Sequence, residues 1–166
     1  MTSTTAIRRP HWGISTLLVI GTLLTASIGA LASIDAAEFY GSLVQPSWAP
    51  PASVFGPVWT LLYLMMAWAA VLVVRAQGWP GARPALMLYA TQLLLNALWT
   101  WLFFRWHLGA AAMIEVLALW VAVALTLRSF GHVRPLAGWL LAPYLAWVSF
   151  ASALTLAMWR LNPGVL

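Results

Sequence analysis

The sequence predicts an all-α integral membrane protein, a bundle of five transmembrane helices. Three observations carry that prediction. Charged residues make up 7% of the chain, against about 25% in a soluble domain. Hydrophobic residues make up 63%, and the mean hydropathy is +0.89. Five apolar runs of roughly 20 residues each match the length a helix needs to cross a bilayer. So few polar side chains cannot cover the surface of a small soluble domain. Composition therefore excludes a soluble enzyme, a disordered chain and a nucleic-acid binder. The net charge of +5 comes from eight Arg and no Lys. These are scattered at the edges of the apolar runs rather than gathered on one face, so no nucleic acid is expected as a partner. Cysteine is absent, which excludes disulfides, thiolate metal sites and cysteine catalysis.

The five runs lie at about 12–34, 54–74, 84–104, 108–129 and 136–158, and together they read as a single membrane domain over residues 1–166. Each is continuously apolar, whereas barrel strands alternate over about 10 residues. The first run follows Arg8 and Arg9 and ends near Ala30-Leu31-Ala32, which also reads as a signal-peptide cleavage site. Its 22 residues from Trp12 to Ser33 exceed the about 7–15 of a signal core, so a retained helix is expected. Ala26 and Ala30, and Gly29 and Ser33, are four apart and suit close contact with a neighbouring helix. Only Arg105, Trp106 and His107 separate the third and fourth runs, so those two helices are antiparallel neighbours. Arg8, Arg9, Arg75, Arg83, Arg128 and Arg134 fall on the N-terminal side, and Arg105 and Arg160 on the other. This bias places the N-terminus in the cytoplasm.

The loop at 35–53 is expected to be ordered. Pro46, Pro50 and Pro51 fix φ and remove backbone donors, so residues 46–51 form a rigid non-helical segment. Phe39, Tyr40 and Trp48 in this loop either anchor at the membrane interface or fold over the mouth of the bundle. Pro57 suits a first helical turn. Trp59 and Tyr63 are i and i+4 and share a face. On the third helix Tyr89, Gln92, Asn96, Trp99 and Phe103 form one stripe at spacings of three and four. Lipid cannot satisfy two amides, so Gln92 and Asn96 face inward. Either they make interhelical hydrogen bonds worth about 0.6 kcal/mol each, or they orient a ligand. On the fifth helix Trp139 and Trp147 lie near one face, with Pro143 between them and Ala151 beyond. Flat rings beside a proline kink and a small residue would make a slot for a flat apolar molecule.

The sequence holds no HExxH, GxSxG or Walker motif and no paired carboxylates on one helix. No metal and no cofactor are expected. His11, His107 and His132 fall near membrane edges; His107 as a haem ligand is the less favoured reading of an interfacial histidine. Glu115 is the single acid inside a span, which makes it a functional candidate by default. At 1.5 Å per residue it stands about 10 Å along its helix, which also lets it reach the interface.

Taken together, several motifs resemble the translocator protein family, also called tryptophan-rich sensory proteins or peripheral benzodiazepine receptors. They are Pro46-Ser47-Trp48-Ala49-Pro50-Pro51, Trp59-Thr60-Leu61-Leu62-Tyr63, Gln92 through Trp99, Ala137 through Trp147, and Trp159-Arg160-Leu161-Asn162. The resemblance spans nearly the whole chain in order. It implies a five-helix bundle, often a homodimer, that binds porphyrins such as protoporphyrin IX or haem, sterols and benzodiazepine-type ligands in a pocket under the first loop. Trp59 and Asn96 match residues that contact polar groups of the ligand, and Tyr40 and Trp147 match aromatics lining the pocket. Ala151 matches a small residue whose replacement perturbs binding. Trp59 and Trp147 also match tryptophans implicated in light-dependent porphyrin breakdown, so they are the catalytic candidates if this chain degrades porphyrin. The sterol motif of vertebrate members has a Tyr where this chain has Leu156, which weakens sterol recognition through it.

The ligand site expected from residues and resemblance together is Tyr40, Trp48, Trp59, Tyr63, Gln92, Asn96, Trp99, Trp139, Trp147 and Ala151. The expected function is a receptor, sensor or transporter for tetrapyrroles in a bacterial inner membrane. A light-dependent porphyrin-degrading enzyme and a sterol or lipid transporter are the alternatives.

Overall fold

The computed structural model describes residues 12–166. Arg8, Arg9 and His11 lie outside the described residues. Among the described residues every regular element is helical, as expected. Helix α1 spans Trp12–Ala32; its 21 residues, at 1.5 Å each, match the roughly 30 Å hydrocarbon core. It stops two residues earlier than its hydropathy suggests, at a turn where Ser33 N–H donates to Ala30 O.

The loop is partly helical. Residues Ala36–Ser42, rich in good helix formers, make the short helix α2. The proline segment follows, with one turn closed by Ala49 N–H donating to Pro46 O at 2.9 Å, and leads to a single 3₁₀ turn, Ala52–Val54.

Helix α3, Phe55–Thr100, contains the second and third predicted spans. A straight helix of 46 residues would be about 70 Å long, twice the bilayer core. It is broken at Gly78, whose φ of 69° and ψ of 174° are open only to glycine. Pro80 stands in the first turn after the break, where a missing N–H costs little. The arms 55–77 and 79–100 fold back on each other. Tyr63 reaches Asn96, and Met66 reaches Gln92; both pairings centre on the break.

The last turn of α3 widens into a π turn, Trp101–Arg105, and the chain reverses through His107, at a φ of 54°. Helices α4, Gly109–Val133, and α5, Pro135–Leu161, follow. Their near-contact is set by glycine: a Cβ on Gly138 would lie 2.8 Å from Gly131 Cα and 3.3 Å from Leu127 O. α3 packs against α1, α4 and α5, and α4 packs along α5. The core between them holds Met66, Val73, Tyr89, Leu119, Phe130, Leu141 and Tyr144. Leu17, Leu31, Leu64, Leu94, Ile114 and Leu125 point outward, as a lipid-facing surface requires. α1, α4 and α5 are each long and apolar enough to cross a membrane, and the two arms of α3 cross it twice. The bundle thus has a loop end, carrying α2 and the C-terminus, and a far end at Gly78 and Arg134.

Candidate functional site

A cavity of about 770 Å³ opens beneath the loop, between α1 and the two arms of α3. On the α1 side the wall is made mostly of small residues, Ala26, Ser27, Gly29, Ala30 and Ser33, with Leu23 at one end. On the α3 side it is made of large ones: Phe55, Trp59, Tyr63, Trp99 and Phe104, with Asn96 and Thr100. The loop closes it with Ala36, Ala37, Tyr40 and Ala52. Gly29 faces Thr100, and a Cβ there would make an ordinary contact, 3.6 Å from Thr100 Oγ1. No residue of the lining carries a formal charge. The volume and the mostly apolar wall with a few polar groups are those of a small-molecule site.

The polar groups are held by one another. The Tyr63 hydroxyl donates to Asn96 Oδ1 at 2.5 Å, and Asn96 Nδ2 donates to the Tyr144 hydroxyl at 3.0 Å. Asn96 is thus tied to both the first arm of α3 and α5. Trp59 lies against Tyr63, with ring centroids 5.8 Å apart, and edge-on to Tyr144 at 6.1 Å. Trp99 stacks on Phe103 at 5.6 Å. Its buried Nε1–H has no partner among the described residues, so the wall holds an uncommitted donor. Tyr40 Oη donates to Pro50 O at 2.9 Å, stapling the loop to itself. Burial pushes the Tyr40 phenol above its ordinary pKa, so it remains a donor.

A second void, of about 10 Å³, lies behind Trp59 and Phe55. Trp147 and Ala151 line it, with Tyr40, Trp99 and Phe103. Its size is about that of one water molecule.

The expected site residues therefore separate into groups. Tyr40, Trp59, Tyr63, Asn96 and Trp99 line the large cavity. Trp147 and Ala151 line only the small void behind it. Gln92 is wholly buried away from both; its Nε2 donates to Met66 Sδ at 3.7 Å, and its Oε1 has no partner among the described residues. Trp48 is 50% exposed and meets Phe150 edge-on at 5.8 Å. Trp139 is 75% exposed on the outer surface. Eight residues along an α-helix amount to a rotation of about 80° from the starting face, so the slot expected between Trp139 and Trp147 does not form.

Two other candidates stand apart from the cavity. The His107 ring stacks on Phe39 at 3.9 Å, and its Nε2 lies 3.1 Å from Phe104 O. Glu115 is 7% exposed, and among the described residues neither carboxylate oxygen has a hydrogen-bond partner. The α1 wall was not anticipated. Its spacing of small residues was legible, but it was read as a contact between helices. Phe55 and Thr60 were also missed, although they flank Pro57 and Trp59 in sequence.

The fold and cavity define a class: a helical membrane protein with an uncharged, aromatic-walled cavity between its helices. The chain belongs to the TspO/MBR family, whose profile matches residues 15–160. It is 41% identical over 130 residues to the tryptophan-rich protein TspO of Chlorobaculum tepidum, covering 77% of this chain and 82% of that one. It is 40% identical over 137 residues to the tryptophan-rich sensory protein of Cereibacter sphaeroides, covering 82% and 84%. To the human translocator protein it is 40% identical over 129 residues, covering 76% of each chain.

Proposed function

We propose that this protein is a membrane sensor or transporter that binds a tetrapyrrole, such as protoporphyrin IX, in the chamber beneath the first loop. One observation carries the reading: a cavity of about 770 Å³ whose α3 wall is a run of aromatic rings and whose lining holds no charge. A macrocycle is flat and apolar at its centre, and stacking on Trp59 and Trp99 suits it. Its carboxylates would cost too much to bury in an uncharged wall, so they remain at the mouth. The relatives are named a tryptophan-rich sensory protein and a translocator protein, and these names support a ligand-handling role. The Arg bias supports a cytoplasmic N-terminus in a bacterial inner membrane.

The test is a dark titration of protoporphyrin IX into the purified protein in detergent, followed by quenching of Trp fluorescence. Saturable quenching, weakened by Trp59→Phe and Asn96→Ala, is the expected result. Binding indifferent to both substitutions would remove the cavity as the site. A second reading, a neutral sterol or lipid as the ligand, is favoured by the uncharged wall; a sterol displacing porphyrin in the same titration supports it. Light-dependent porphyrin degradation would fall to Trp59, because Trp147 stands behind it.

A further inference from the structure

We propose that Asn162, at the C-terminal end of α5, is the latch that holds the loop shut over the cavity and so sets how fast a ligand leaves. The inference rests on the cavity being the ligand site. Asn162 is only 7% exposed although it lies past the end of its helix. Its side-chain amide pairs with the backbone of Val44, 118 residues away. Val44 N–H donates to Asn162 Oδ1 at 2.8 Å, and Asn162 Nδ2 donates back to Val44 O at 3.0 Å. A side-chain amide carries a donor and an acceptor side by side, as a peptide does. Here it imitates one rung of an antiparallel ladder. Nδ2 also donates to Met158 O at 2.8 Å, which anchors the fork on α5.

Among the described residues, these are the hydrogen bonds that join the loop to any element other than its own flanking turns. The remaining attachments are apolar: Phe39 meets His107 and Phe103, Trp48 meets Phe150, Tyr40 meets Phe55, and Tyr40 and Leu43 are buried in the core. Loop residues Ala36, Ala37, Tyr40 and Ala52 form part of the chamber wall. Gln45 Nε2 donates to Tyr40 O at 2.6 Å, so release of Val44 is passed one residue on to the segment that holds Tyr40. Freed from the fork, the loop can lift as a unit and open the chamber.

The chain has no cysteine, so Thr100→Cys places a single thiol in the cavity wall. Its rate of modification by a charged, membrane-impermeant thiosulfonate reports opening without any ligand. The dissociation rate of protoporphyrin IX reports the same event with one. Two substitutions weaken the latch from opposite sides. Asn162→Ala deletes the fork. Val44→Pro deletes the loop's donor and leaves α5 untouched; Leu43, at φ −80° and ψ 148°, already has the conformation a residue before proline adopts. Each is expected to raise both rates on the order of tenfold, the effect of one or two lost hydrogen bonds.

Unchanged labelling in Asn162→Ala overturns the proposal. So does acceleration by Asn162→Ala that Val44→Pro fails to reproduce, because Asn162 would then act only by capping α5. Faster labelling without faster porphyrin release overturns the loop as the exit. If the unsubstituted protein shows no saturable porphyrin binding, the ligand reading fails instead, and labelling alone decides whether Asn162 holds the loop.

Discussion

Removal of the Asn96 amide is the most informative perturbation of the site, because both of its ends are in use. Asn96→Ala deletes the acceptor for Tyr63 and the donor to Tyr144. Hydrogen bonds between membrane helices average about 0.6 kcal/mol and reach about 1.7 kcal/mol. Tyr144 is wholly buried, so its hydroxyl finds no water to replace the amide, which moves the cost toward the upper value. Tyr63 faces the cavity and is less penalised. The expected destabilisation is about 2 kcal/mol for Asn96→Ala, and about 1 kcal/mol each for Tyr63→Phe and Tyr144→Phe. Reversible unfolding in mild detergent measures all three. The decisive quantity is the coupling between Tyr63→Phe and Asn96→Ala, expected near 1 kcal/mol. Additive costs would refute the bond from Tyr63 to Asn96 and with it the claim that the wall is held in place before a ligand arrives. A coupling present with unchanged porphyrin affinity would show the amide to be structural only.

Three further outcomes follow from particular contacts. Gly138→Ala puts a Cβ 2.8 Å from the Gly131 backbone; neither helix can yield there, so a loss of about 1–3 kcal/mol in unfolding free energy is expected. Glu115→Met is expected to stabilise by about 1–3 kcal/mol in the same measurement, because it replaces a buried carboxyl whose oxygens lack partners among the described residues; a loss of stability instead would reveal a partner for the carboxyl. Tyr40, whose folded pKa is raised by burial, contributes stability that is complete below about pH 10 and falls as pH rises through the folded value. Corrected for ionisation of the thiol itself, which speeds the reaction as pH rises toward about 8.5, labelling in the cavity should therefore be flat through neutral pH and rise only in strong base, and Tyr40→Phe should abolish that rise.

The membrane spans were legible because hydropathy reads them directly, but their ends were not. The gap expected at 75–83 is helical on both sides of Gly78. Arg75 and Gln77 end the apolar run without ending the helix, since polar residues are good helix formers. Trp59 with Tyr63, and Asn96 with Trp99, were legible because spacings of four and three fix a face, and the structure brings all four to one wall, whereas Tyr89, Gln92 and Phe103 of the predicted stripe do not line it. Trp139 and Trp147 were placed together by a spacing of eight, where the drift of the helix is enough to turn one ring outward. The choice of Tyr40 over Phe39 had no signal in the residues themselves. Phe39 turns away to stack on His107, while Tyr40 turns in.

The α1 wall was illegible for a deeper reason: small residues at helical spacing look the same whether they admit a neighbour or leave space. The far half of α1 docks, with Ile14 and Leu18 against the core and the buried Thr22 Oγ1 2.6 Å from Tyr89 Oη. The loop half keeps the same axis but carries Ala26, Gly29, Ala30 and Ser33, and the missing side-chain volume becomes the chamber. A void of that kind normally collapses when side chains opposite it move in. Here they are restrained: Tyr63 by Asn96, Asn96 by Tyr144, and Trp99 by Phe103. The polar chain that looks like a ligand contact in the sequence thus holds the rings back from the space they face. A ligand that enters finds the cost of ordering that wall already met by the fold.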